Sequence, residues 1–133
     1  MKSDREIYLD VLTTTVGRLS GYSFAAKGWV VTIAAAFVGL AISSKSPALA
    51  YSAIVPTAFF WLIDAYYLML ERRYRYLFDI AFQAQDLEKS KMTFDHRIAK
   101  QFNRIAPALF SAPLVVFYGA IGLSLSLFPF LIK

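Results

Sequence analysis

The stretch WLIDAYYLMLERRYRYL, residues 61–77, decides how the whole chain is read. It opens as an oily run, carries one aspartate, Asp64, into that run, and turns abruptly charged at Glu71, Arg72, Arg73 and Arg75. Apolar residues ending in a knot of arginines are the mark of a helix leaving a bilayer, because guanidinium groups stay with the headgroups while apolar side chains enter the hydrocarbon. Working outward, Ser46–Leu70 holds twenty-five residues with Asp64 as the single charge. Seventeen uncharged residues lie between Lys27 and Lys45, and twenty-eight run from Ile105 to Ile132. A helix crosses the hydrocarbon in about 20 residues, with a range of about 17–25. All three blocks qualify, so the expected fold is an all-α membrane protein with three transmembrane helices.

The 133 residues suit a single membrane domain, 1–133. Its expected parts are a cytoplasmic amphipathic helix over 1–21, spans at 24–44, 47–70 and 107–131, and a cytoplasmic hairpin between the last two. The SDRE of residues 3–6 reads as a capping box. Behind it Ile7, Tyr8, Val11, Leu12, Val16 and Leu19 recur at helical spacing, up to a bend expected at Gly21. Of its two possible seats, the membrane surface and the other cytoplasmic helix, the mixed charges favour the second. The second span is expected to continue as a cytoplasmic helix to about residue 89, since no glycine or proline interrupts it. Glu71–Arg75 and Arg75–Asp79 also support it at four-residue spacing. Its apolar stripe is Leu77, Ile80, Ala81, Ala84 and Leu87; a second arm spans 94–105, and Pro107 is expected to kink the entry to the third span.

Twelve of the fourteen basic residues precede Lys45 or lie in 71–104. The positive-inside rule therefore places the N-terminus in the cytoplasm and the C-terminus on the periplasmic side of an inner membrane. The chain has no cysteine and one histidine, His96. That removes disulfides, thiolate zinc sites and nucleophilic thiols, and no phosphate loop or serine-nucleophile motif appears. No enzyme, metal site or cofactor is expected.

Asp64 lies six residues before Leu70, about 9 Å into the bilayer. An aspartate there is costly, so it faces a bundle interior or water. Depth counting suggests Thr32 and Ser111 as partners. Two readings stand open: a buried packing aspartate, or a ring of carboxylates lining a cation path in an oligomer. On span one Gly28, Thr32, Ala35, Ala36, Gly39 and Ser43 share a side. Tight packing on span two is the plainer explanation, and a pore or subunit contact the sharper one. Asp64, Thr32, Gly39 and Glu71 are the pore or gating candidates. The arginines likewise have a plain role, holding lipid phosphates. A sharper role joins Arg72, Arg73 and Arg75 to Arg97, Lys100 and Arg104 as a bidentate site for an anionic nucleotide or oligonucleotide. Three packed helices enclose no lumen, so conduction would require several copies, most simply a cyclic homo-oligomer.

GRLSGYSFAAKGW at 17–29, together with FFWLIDAYYLMLERRYRYLFD at 59–79, resembles the SLATT-like membrane effectors of bacterial anti-phage defence, encoded beside nucleotidyltransferases or other sensors. The resemblance covers some sixty residues and rests on aromatic, acidic and basic landmarks. It implies an oligomeric effector that depolarises the inner membrane and arrests growth, under control of a nucleotide or, as in Hailong-type systems, an oligonucleotide. Many relatives have two spans or a separate sensor domain. With three spans and no such domain, any signal here must reach the cytoplasmic helices directly or through a partner such as the nucleotidyltransferase. The rival expectation is a non-conducting membrane anchor or assembly subunit for a cytoplasmic partner, and a holin-like phage protein is a third.

Overall fold

The computed structural model describes residues 1, 3–83 and 104–131. These residues are almost wholly helical: α1 (Asp4–Ser44), α2 (Pro47–Ser52), α3 (Ile54–Gln83), α4 (Ala106–Leu109) and α5 (Ala112–Leu131). Three stretches, Asp4–Ser44, Pro47–Gln83 and Ala112–Phe130, are long and apolar enough to cross a membrane. The expected arm at 94–105, with His96, Arg97 and Lys100, lies outside the described residues except for its last two positions. So does the continuation of α3 to residue 89.

The capping box forms as the sequence indicates. Glu6 N–H donates to Ser3 Oγ at 3.3 Å, and Ser3 N–H donates to Glu6 Oε2 at 2.8 Å. The expected bend at Gly21 does not occur: the amphipathic segment and the first span are one helix of 41 residues, about 60 Å long at 1.5 Å per residue. A mid-helix glycine costs about 1 kcal/mol relative to alanine, and packing on both sides outweighs it. Leu12, Leu19 and Ala26, spaced by seven, are all buried along one seam. The facing seam on α3 includes Thr57, Asp64, Ala65, Leu77 and Ala81. In the charged half, Leu12 clusters with Leu77 and Ala81, flanked by Tyr8, Leu9, Tyr74 and Phe78. The amphipathic face of α1 thus packs on the second helix, as its mixed charges suggest, and Arg5 donates to the Phe82 carbonyl. Ile7 and Val11, from the same predicted stripe, stay exposed.

Prolines account for the two breaks that the sequence reading missed. Pro56 has no N–H for the Ser52 carbonyl and crowds it, so span two is split at Ala53 into α2 and α3. Pro113 stands in the same relation to Leu109, where α4 ends. The Leu109 carbonyl freed in this way accepts instead from Trp61 Nε1 at 3.2 Å. Pro107, expected to make the kink, sits in the first turn of α4, where a proline costs no hydrogen bond. α5 runs antiparallel to α3, with Arg72 reaching the Pro107 carbonyl at one end and Tyr118 the Phe60 carbonyl toward the other.

The α1–α2 turn places Lys45 at φ 47°, ψ 36°. The Ser46 N–H closes the turn on the Ala41 carbonyl at 3.1 Å. A side chain in the left-handed region is disfavoured by about 1–2 kcal/mol, so Lys45→Gly is expected to stabilise the protein by about 1 kcal/mol. Thermal unfolding in detergent, followed by circular dichroism, would show the midpoint rising.

Candidate functional site

One buried polar cluster joins all three long helices, and Asp64 is its centre. The aspartate occupies a seam position on α3 and is 0% exposed. From α1, Ser23 donates its hydroxyl to Oδ1, and Lys27 Nζ lies 2.5 Å from Oδ2. Lys27 also donates to Ser23 Oγ at 2.9 Å. Ser23 and Lys27 are four apart, so both project from one face of α1. From α5, the Tyr118 hydroxyl lies 3.1 Å from Oδ2 and 3.3 Å from the Phe60 carbonyl. The carboxylate therefore accepts from both neighbouring helices and has a cation beside it, which is what a buried charge requires. Val30, Ala65, Leu114 and Tyr118 pack into the adjoining core.

The partners expected by depth counting are not the ones found. The Thr32 hydroxyl donates to the Gly28 carbonyl of its own helix at 3.0 Å and lies on an exposed face. Ser111 is buried, but its hydroxyl has no hydrogen-bond partner among the described residues. The continuous α1 is the reason: it pairs residues 23–27 with Asp64, so Thr32 sits more than one turn further along.

The small-residue side of α1 is also not where the plainer explanation put it. Gly28, Thr32, Ala35, Ala36, Gly39 and Ser43 are all exposed, and a Cβ built at Gly28 or Gly39 would meet nothing within 4 Å. The heptad seam of Leu12, Leu19 and Ala26 has taken the packing face, leaving the small residues outside. Gly119 and Gly122 on α5 also border open space. Asp64 and the pair Thr32 and Gly39 are thus not brought together, one lying inside the helix unit and the others outside it.

Among the basic candidates, Arg72 is exposed and lies 3.4 Å from the Pro107 carbonyl, while Arg73 is half-buried. Arg75 is exposed and paired with Glu71 at 2.7 Å, the four-residue pair read from sequence. Arg104 is exposed. Arg75 borders a shallow cleft of about 330 Å³ between α1 and α3, lined also by Thr13, Val16, Phe78 and Asp79. Tyr22 and Tyr67 pair at 5.6 Å between ring centroids near the aspartate level, and Tyr66 is exposed, as expected of interfacial aromatics.

Sequence reasoning missed Ser23, Lys27 and Tyr118. Lys27 was readable as the cation nearest the start of an apolar run, and Tyr118 is the one phenol between Ala112 and Leu131. Neither position signals by itself that it turns toward Asp64. In comparison with known proteins, the chain matches no family model, no curated protein and no solved structure.

Proposed function

We propose that this chain is a non-enzymatic, pore-forming effector of a bacterial inner membrane. Several copies assemble in a ring and pass ions, and an anionic nucleotide or oligonucleotide held by the arginines of the charged half controls the passage. The observation that carries this reading is the outward turn of the Gly28, Thr32, Ala35, Ala36, Gly39 and Ser43 face. A lone chain has no packing use for it, whereas close approach between copies needs small residues, and a water path needs hydroxyls. The ligand set among described residues is Arg72, Arg73, Arg75 and Arg104. Guanidinium groups there offer bidentate contacts to phosphates. Depolarisation and growth arrest in anti-phage defence would be the biological outcome, in line with the resemblance of residues 17–29 and 59–79 to SLATT-like effectors.

In this reading the water path follows Thr32 and Gly39, and Asp64 holds the protomer together. Liposomes loaded with a potassium-sensitive dye and carrying the purified chain should show ion flux that Gly39→Leu reduces and an oligonucleotide alters. An assembled chain that passes no ions with or without polyanions sinks the proposal.

A second reading has one specific observation in its favour. The full enclosure of Asp64 in contacts within one chain is what a non-conducting anchor or assembly subunit would need to keep its helices in register. A strict monomer in detergent, bound to a cytoplasmic partner, would select it.

A further inference from the structure

Because α1 and α5 each run antiparallel to α3, they run parallel to one another. They meet where Lys27 lies over the Phe117 ring, 6.0 Å from Nζ to the ring centroid. Beyond that contact a groove of about 380 Å³ separates them, lined by Val31, Ala34 and Val38 on α1 and by Ala120, Ile121, Ser124 and Phe128 on α5. Positions 27, 31, 34 and 38 form one helical stripe, and 117, 121, 124 and 128 form another. Lys27 and Phe117 are therefore the first members of the two walls and close one end of the slot. The Ser124 hydroxyl donates to the Ala120 carbonyl at 2.8 Å, so the slot is apolar in effect.

The closing end is not apolar. An ammonium group has three N–H donors. Ser23 Oγ and Asp64 Oδ2 occupy two of those of Lys27, and its side chain is 24% exposed. A partly exposed ammonium group with one N–H unused among the described residues thus stands at the foot of an oily slot that ascends through the uncharged run 28–44. We propose that the slot seats one acyl chain of a membrane phospholipid, with an oxygen of its phosphate accepting the third Lys27 N–H. Direction and chemistry agree. Lys27 is the last cation of α1 before the uncharged run 28–44, at its end nearer the charged half where headgroups lie, and a chain rising from it heads toward the bilayer centre. A helix from a second copy would bring no phosphate to Lys27.

The full-length chain, incubated in detergent with dioleoylphosphatidylglycerol, can be read by native mass spectrometry for retained lipid. One lipid per chain is expected. Dioleoylglycerol, which has the chains without the phosphate, and glycerol 1-phosphate, which has the phosphate without the chains, should both be lost. Ala34→Leu with Ala120→Leu fills the slot and should lower retention about tenfold, as should Lys27→Met with Asp64→Asn, which removes the donor without leaving a buried charge unpaired. Circular dichroism verifies that each variant keeps its helix content. Undiminished retention by a folded slot-filled variant, or equal retention of dioleoylglycerol, overturns the proposal. So does rapid disulfide formation between Val38→Cys chains in this cysteine-free background, which would put a second copy in the slot.

Discussion

Lys27→Met is expected to destabilise the protein by about 3–5 kcal/mol, because it leaves the Asp64 carboxylate buried without its cation. Asp64 has no exposed surface, so water cannot replace the ammonium group, and the hydroxyls of Ser23 and Tyr118 supply hydrogen bonds but no charge. Adding Asp64→Asn to Lys27→Met should therefore recover more than half of the loss, since a neutral amide can accept from one of the Ser23 and Tyr118 hydroxyls and donate to the oxygen of the other. Thermal or denaturant unfolding in detergent of the wild type, both single variants and the double variant completes the cycle. Equal destabilisation by Lys27→Met and by the double variant would mean that Asp64 carries no charge in the folded protein, and that the pair is not what joins the helices.

Leu12→Ala is expected to have the second large effect, about 2–4 kcal/mol, confined to the charged half of the α1–α3 pair. Leu12 is buried against Leu77 and Ala81 in a part of the molecule whose outer surface carries Asp4, Glu6, Arg75 and Asp79. There truncation removes apolar surface from a contact that water would otherwise wet, and it also opens a cavity. Val30→Ala, at a site just as buried but within the apolar half, should cost less, because lipid tails are as apolar as the side chain removed. Amide hydrogen exchange separates the two. Leu12→Ala should raise exchange in 5–20 and 71–83 and leave 112–131 protected. Uniform acceleration over all helices would show that the two halves do not open independently.

These expectations rest on features of different origin. The charged knot at 71–75, the capping box at Ser3 and Glu6 and the three apolar blocks act locally, and each appears where the sequence places it. Pro56 and Pro113 act locally as well, since the carbonyl each one disrupts is four residues back. Their breaks at Ala53 and Phe110 follow from chain chemistry, although hydropathy alone passes over them. The partners of Asp64 are another matter. Depth counting assumed that span one began after a bend at Gly21, and a bend there would have reset the level of every later residue. Because the heptad of Leu12, Leu19 and Ala26 carries α1 straight through, Lys27 came to the aspartate and Thr32 did not.

What this chain's sequence determined unaided was the number of long apolar helices, their charged boundaries and the need for Asp64 to face a bundle interior or water. Each of these depends on the free energy of moving a residue between water and hydrocarbon, a sum over near neighbours. Only the tertiary structure decided which way each helix is rotated, and with it that Lys27 and Tyr118 meet Asp64 while the small residues of α1 look outward. Rotation is set by side chains tens of residues apart fitting along a shared seam. A turn of 100° per residue changes no hydropathy sum, yet it moves every side chain to a different neighbour.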